Sequence, residues 1–270
     1  MRIIRFRDPQ GRIRYGEPAG EGRARVLAGE APWALEPTGE EAEVARVLAP
    51  LAPVNIFGIG LNYRDHAAET GMPAPENPVL FMKPTTTVIG PGDAILLPAA
   101  CEHGPEVDYE VELAVVIGRA ARDVPAERAL EHVLGYTVAN DVSARRWQKH
   151  GGAGQWVRGK SFDTFCPLGP VLVTADELGD PQRLRLRTVR NGETLQDGST
   201  ADMIFGVREL VAFLSRDTTL LPGTVILTGT PAGVGFTRTP PIFLAPGDEI
   251  TVEVEGIGAL SNPVVAAGGG

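Results

Sequence analysis

Glu106-Val107-Asp108-Tyr109-Glu110-Val111-Glu112-Leu113-Ala114-Val115-Val116-Ile117 is the stretch that decides how this chain folds. Side chains alternate between faces along a strand, so Val107, Tyr109, Val111, Leu113, Val115 and Ile117 form one unbroken apolar face that belongs in a core. The opposite face begins with Glu106, Asp108, Glu110 and Glu112 and turns apolar at Ala114 and Val116, the pattern of a strand running from a wet rim into the interior. Glu110 and Glu112, at i and i+2, then lie about 6.5 to 7 Å apart. Their repulsion is below about 1 kcal/mol in water but about 2 kcal/mol at an effective dielectric of roughly 20, enough to raise one pKa or to call for a cation. Acids are poor strand formers, and these two adjoin a run that is apolar on both faces. A hard divalent ion held by oxygen ligands is therefore the sharper reading, and a solvated strand face the plainer one. An ion requires a third carboxylate.

Downstream, residues 123–135 carry a proline early and a glycine at the end, which predicts a helix. Tyr136-Thr137-Val138-Ala139 reads as the next strand, and its exit through Asn140 and Asp141 supplies the candidate third acid. The competing role for Asp141 is a turn aspartate bonding its own backbone. Lys160, between Gly159 and Ser161, is either a surface lysine or a cation facing the acids. Val225-Ile226-Leu227 leads into the glycine loop 228–235, where the Thr230 hydroxyl and backbone amides offer an anion site. Pro-Gly pairs at 91–92, 222–223 and 246–247 predict type II turns that open strands.

Upstream, residues 53–60 form a short strand ending in glycine, and Ala67, Ala68 and Gly71 suit a short helix in which His66 and Glu69 share a face at i, i+3. A carboxylate beside an imidazole is the arrangement a general base needs, and an exposed helical pair without duty is the alternative. Residues 72–78, rich in proline, read as a mobile loop flanking that helix, which predicts that His66 rides on a lid. Residues 79–84 are a buried strand ending at Lys83. Residues 1–50 read as a small β unit: a hairpin of two strands around Asp8-Pro9-Gln10-Gly11, a third short strand at 25–27, and a brief helix over 40–48. Residues 51–270 form the main domain. The glycine run 151–154 is too glycine-rich to be rigid, and the tail from Ala266 is expected to be disordered.

Composition narrows the partners. A net charge of −9 with no basic run argues against nucleic acid and anionic membranes, leaving a small molecule. No stretch approaches the roughly 18 apolar residues of a membrane span and the start, Met1-Arg2-Ile3-Ile4-Arg5-Phe6-Arg7, is too charged for a signal peptide, so the expected location is the cytoplasm. Cys101 and Cys166 lack metal-type spacing and read as packing residues.

Six separated motifs, Gly60-Leu61-Asn62-Tyr63-Arg64-Asp65-His66, Phe81-Met82-Lys83-Pro84, Tyr109-Glu110-Val111-Glu112-Leu113, Asn140-Asp141-Val142-Ser143-Ala144-Arg145, Gly159-Lys160-Ser161-Phe162-Asp163 and Thr228-Gly229-Thr230-Pro231-Ala232-Gly233-Val234-Gly235, together resemble the fumarylacetoacetate hydrolase family over about residues 53–262. The resemblance implies an α+β, mainly β fold of the mixed, rolled type. It implies magnesium or manganese on Glu110, Glu112 and Asp141, a His66 and Glu69 dyad that moves protons, and Arg145, Gln148, Lys160 and Thr230 around the carboxylate and oxo groups of a 2-oxo acid. It also implies a homodimer. Arg146 and Trp147 stand where the animal hydrolase has an acid and an aliphatic residue, which predicts a pocket wall particular to this chain. A chelating 2-oxo acid and a Lewis-acid ion would share an enolate from which isomerisation, decarboxylation or carbon–carbon hydrolysis can follow. The lean is to an isomerase or decarboxylase of an unsaturated 2-oxo dioate of aromatic catabolism, close to the 2-hydroxyhepta-2,4-diene-1,7-dioate isomerases. Acylpyruvate hydrolase and oxaloacetate decarboxylase are the enzymatic alternatives, and a metal-stabilised structural β-protein the non-enzymatic one.

Overall fold

The protein is described by a computed structural model over residues 1–151 and 153–267. Strands β1 (Arg2–Arg7) and β2 (Ile13–Pro18) form the expected hairpin, with the Asp8 carboxylate accepting from the amides of Gln10 and Arg12 in the turn. Strand β3 (Arg23–Ala28) joins β2. Residues 40–48 are not the helix expected: β4 (Glu36–Glu43) pairs with β3 and β5 (Arg46–Leu48) with β1. Across that sheet Ala42 faces Ala24, while Glu40 and Glu41 reach Arg14 and Arg23. Cross-strand pairing outweighs the weak helical preference of Glu and Ala.

The rest of the chain runs β6 (Ile56–Gly60), α1 (Arg64–Thr70), β7 (Val79–Lys83), β8 (Val88–Ile89), β9 (Ile95–Leu97), β10 (Val107–Asp108), β11 (Val111–Ile117), β12 (Val133–Asn140), β13 (Ser143–Ala144) and α2 (Arg145–Lys149). It continues through β14 (Cys166–Thr174), α3 (Ala175–Leu178), β15 (Arg185–Arg190), β16 (Glu193–Ser199), α4 (Val207–Ser215), β17 (Val225–Leu227), β18 (Glu249–Val254) and β19 (Gly258–Ala266). A large mixed sheet has the order β4-β3-β2-β1-β14-β12-β11-β17-β6-β7, and a second sheet the order β16-β15-β18-β19-β9. The N-terminal unit is thus stitched into the main sheet, with Arg2 and Ile3 paired to Val173 and Leu172. The fold is mainly β with short helices, as the sequence predicts. No helix among the described residues is long and apolar enough to cross a membrane.

Strand β11 is buried on both faces. Val111, Leu113, Val115 and Ile117 pack with Leu186, Val252, Val254 and Leu260 of the second sheet, while Ala114 and Val116 join Ile56, Cys166, Leu168 and Leu227 on the other side. Two expectations for this stretch need correction. It is not one strand, because it breaks at Tyr109-Glu110, and it has no wet rim, because Glu106, Asp108, Glu110 and Glu112 are all buried. At the break, side chains satisfy the backbone: Asp108 Oδ1 accepts the Tyr109 amide and Asn140 Oδ1 the Glu110 amide.

The helix expected over 123–135 is replaced by 3₁₀ turns over Ala126–His132 that lead straight into β12. Its closing Gly135 lies inside that strand, where a Cβ would sit 2.1 Å from the Val173 carbonyl oxygen. The glycine permits close strand approach rather than capping a helix. The three Pro-Gly turns open β9, β17 and β18 as expected, with Gly92, Gly223 and Gly247 all at positive φ. Ala266 ends β19 paired with Leu97 and does not begin a disordered tail; residues 268–270, and Gly152 of the glycine run, lie outside the described residues.

Leu113 is fully buried where the two sheets meet. Leu113→Ala should cost about 2–5 kcal/mol, read as a lower urea midpoint, whereas Glu41→Ala on the exposed edge should shift it by no more than about 0.5 kcal/mol.

Candidate active site

The buried face of β11 continues past Ala114 into Glu112 and Glu110, and there the ends of three strands and one turn converge. Strand β12 leads to Asp141, β7 ends at Lys83, and a 3₁₀ turn over Val157–Lys160 delivers Lys160. Ligand oxygens of Glu110, Glu112 and Asp141 lie within 4.8 Å of one another, all buried. The surface alternative for Lys160 is excluded, since only 1% of it is exposed. Its Nζ donates to Asp141 Oδ2 at 2.5 Å and to Glu110 Oε2 at 2.7 Å. Lys83 Nζ donates to the other Asp141 oxygen at 2.5 Å. Arg145 Nη1 lies 2.7 Å from Glu110 Oε1, and its Nε donates to Asp108 at 2.8 Å.

Four buried carboxylates (Asp108, Glu110, Glu112 and Asp141) therefore meet three buried cations (Lys83, Lys160 and Arg145). Glu112 is the acid left without a cationic partner among the described residues. Burial works to raise the Glu110 pKa, but Lys160 and Arg145 outweigh it and hold the carboxyl well below the usual range. Burial raises Glu112 too, and there the neighbouring Asp141 and Glu110 charges push the same way, so it stands well above that range. An all-oxygen cluster with one uncompensated acid fits a hard divalent cation, as the sequence suggests.

Helix α1 places His66 and Glu69 at the edge of this cluster, with His66 Nδ1 3.0 Å from Glu69 Oε2. Glu69 Oε1 accepts from the Gly233 amide and the Thr237 hydroxyl. The helix is fastened on its other side, where Arg64 donates to the Asp202 and Met203 carbonyls and the Asp65 amide to the Asp202 carboxylate. Burial acts to raise the Glu69 pKa, but His66, Thr237 and Gly233 together hold it below the ordinary value.

The glycine loop does form an anion site, but its anions are the protein's own. Gly229 donates its amide to Glu112, Gly233 to Glu69, and Gly235 and Phe236 to Asp108. Gly229 has φ +95, and a Cβ on it would press on Asn62 Cβ at 2.8 Å. Thr230 Oγ1 accepts from Gln196 Nε2, and the same Gln196 takes the Val111 amide on its oxygen.

These groups line a cavity of about 330 Å³. His66, Glu110, Glu112, Arg145, Gln148, Lys160 and Thr230 face it, with Phe81, Trp156 and Phe236 as aromatic walls. Arg145 keeps one buried nitrogen, Nη2, with no protein partner, while Nη1 also donates to Gln148 Oε1. The wall expected from Arg146 and Trp147 lies elsewhere. Neither lines the cavity, because Trp147 turns away to donate to the Ala100 carbonyl and pack on Phe162. Sequence reasoning missed Lys83, Asp108 and Gln196. For Asp108 the signal was present, an acid opposite a core face two residues before Glu110. Lys83 was visible only as a strand end, and Gln196 carries no local signal.

Residues 55–265 match the family model for the C-terminal domain of fumarylacetoacetate hydrolase, and residues 1–53 an Rv2993c-like N-terminal model. The chain is 44% identical over 254 residues to the mitochondrial oxaloacetate tautomerase FAHD2A of Homo sapiens, covering 94% of this chain and 78% of that protein. Its structure resembles the 2-hydroxyhepta-2,4-diene-1,7-dioate isomerase of Mycobacterium marinum, with TM-score 0.84, 42% identity and coverage of 99% of both chains. It also resembles the 5-carboxymethyl-2-hydroxymuconate delta-isomerase of Mycobacterium smegmatis, with TM-score 0.85, 45% identity and coverage of 98% of this chain and 100% of that one.

Because the folded Glu69 carboxyl titrates below its unfolded value near 4.5, its contribution to stability is present above about pH 4.5 and lost as pH falls through the folded value. Glu69→Gln should therefore lower the Tm at pH 7, and the gap to wild type should narrow steadily as thermal scans move toward pH 4. A gap independent of pH would show that Glu69 is not held in its charged form.

Proposed function

This chain belongs to the fumarylacetoacetate hydrolase family, and we propose that it is a metal-assisted isomerase that moves a proton on an enolisable 2-oxo dioate, of the 2-hydroxyhepta-2,4-diene-1,7-dioate type. One observation carries this reading: Glu110 and Glu112 of the acid cluster, the histidine of the His-Glu dyad and Arg145, which keeps an unused donor, face the same cavity. The names of its relatives, a diene-dioate isomerase and an oxaloacetate tautomerase, share one elementary step. In both, a proton leaves carbon or oxygen next to a 2-oxo group and returns at another atom of the same conjugated system.

Glu110, Glu112 and Asp141 would hold a magnesium or manganese ion. When bound, it supplies Lewis-acid stabilisation of the negative charge that develops on the 2-oxo oxygen. The chain's own groups do the rest. Arg145 Nη2, Gln148 and the Thr230 hydroxyl bind and orient the carboxylate beside the oxo group. With Nδ1 fixed by Glu69, His66 has Nε2 free to take a proton from the substrate's enol oxygen, or from the carbon beside a 2-oxo group, and return it at another atom of the same conjugated system. Lys160 neutralises Glu110 and Asp141 and keeps both oriented during that transfer. Phe81, Trp156 and Phe236 keep bulk water from the enolate, which favours reprotonation over hydrolysis. Oxaloacetate itself is a second reading for the substrate, favoured by the 44% identity to a tautomerase of that acid over 94% of the chain.

Enol–keto conversion of oxaloacetate and double-bond migration in 2-hydroxyhepta-2,4-diene-1,7-dioate, followed by ultraviolet absorbance and proton NMR, test the reading. Wild-type protein should accelerate at least one, lose the activity in EDTA and regain it with magnesium or manganese. His66→Asn should lower kcat about 10²- to 10⁴-fold with KM little changed. Carbon dioxide or a cleaved acid as the product would replace isomerisation with decarboxylation or hydrolysis.

A further inference from the structure

Helix α2 turns three side chains toward the cavity, Arg145, Gln148 and Lys149, at positions i, i+3 and i+4. Arg145 and Gln148 sit at the buried end, while Lys149 is exposed at the mouth. The Lys149 ammonium lies 3.5 Å from the centroid of the Phe236 ring, and the Arg145 guanidinium carbon 4.6 Å from the same ring. No carboxylate pairs with Lys149 among the described residues, in contrast to Arg145, Lys83 and Lys160, whose charges the acid cluster takes up. A lysine in the last turn of a helix usually serves the free carbonyls there. This one is folded instead over an aromatic wall of the cavity, close enough to Arg145 that, after burial, repulsion from that charge lowers its pKa. An anion placed between the two cations would relieve that repulsion.

Resting on the reading of this cavity as a 2-oxo dioate site, we propose that Lys149 is the specificity-determining residue that receives the distal carboxylate of the substrate. Arg145 takes the carboxylate beside the oxo group at the floor. One helical turn, roughly 6 Å, separates the two positions along the axis, so a chain with a carboxylate at each end is read from both ends. Both cations lie over the Phe236 ring. A 2-oxo acid ending in a methyl group leaves Lys149 with no partner.

The test compares two five-carbon ligands that differ only at the far end, 2-oxoglutarate and 2-oxopentanoate. Binding is read by the fluorescence of Trp156 in the cavity wall, on the full chain with saturating magnesium. Wild type should bind 2-oxoglutarate more tightly, with a preference that shrinks as salt is raised. Lys149→Met should weaken 2-oxoglutarate about tenfold and leave 2-oxopentanoate within about twofold, and Lys149→Arg should keep the preference. Equal weakening of both ligands, or of neither, would overturn the assignment while leaving the 2-oxo acid site standing. If wild type binds neither ligand, the assignment falls together with the reading of the cavity.

Discussion

Asp141 held between two lysines is the interaction on which the site depends. Both of its oxygens carry an ammonium, Lys83 on one and Lys160 on the other, and all three residues are almost wholly buried. Removing one partner from such a group leaves an uncompensated charge in a low-dielectric interior, at a cost of about 3–5 kcal/mol. The cluster is therefore an all-or-nothing assembly. Lys83 closes an edge strand of the large sheet, Asp141 leaves a central strand, and Lys160 comes from a turn beyond α2, so the network ties three distant stretches of chain to one point. The second sheet presses on the opposite face of β11 and prevents that point from shifting.

Carboxylates packed this densely need more donors than lysine and arginine side chains provide, and the glycine loop after β17 supplies them from its backbone. Its amides reach Glu112, Glu69 and Asp108, members of the acid cluster, the histidine dyad and the arginine anchor. One short loop thereby sets the relative positions of three parts of the candidate site. Glycine is required because the backbone passes within contact distance of its neighbours: a Cβ on Gly235 would lie 1.8 Å from the Ile242 carbonyl oxygen. Gly60 answers the same demand across the cavity, where a Cβ would meet the Trp156 ring at 2.1 Å.

The sequence revealed the parts of the site that local pattern encodes. Alternation exposed the core face of β11 and, by contrast, Glu110 and Glu112; helical spacing paired His66 with Glu69; a strand exit offered Asp141. What it hid came from long-range pairing. Residues 40–48 have a helical composition, yet β3 and β1 already present open edges to them. Gly135 looks like a helix stop until the neighbouring strand is seen 2.1 Å from its missing Cβ. Lys83 carries no sign of burial in its own neighbourhood, because its partner is 58 residues away in the chain.

The charge balance also constrains how a substrate is recognised. With a net charge of −9, the protein as a whole repels an anion at long range, so attraction must be generated inside the cavity. Of the cations that face it, Lys160 is committed to Glu110 and Asp141, and two nitrogens of Arg145 are committed to Asp108, Glu110 and Gln148. The donors left over are Arg145 Nη2 and the Lys149 ammonium. The acid cluster carries the opposite imbalance, one carboxyl, Glu112, that has no cationic partner among the described residues and is pushed toward its protonated form by burial and by Asp141 and Glu110. A cavity with two spare cationic donors on one side and one spare acid on the other favours an anion and a cation entering together. A cation entering alone would leave the buried Arg145 Nη2 without an acceptor, and an anion entering alone would leave the buried Glu112 without a cation.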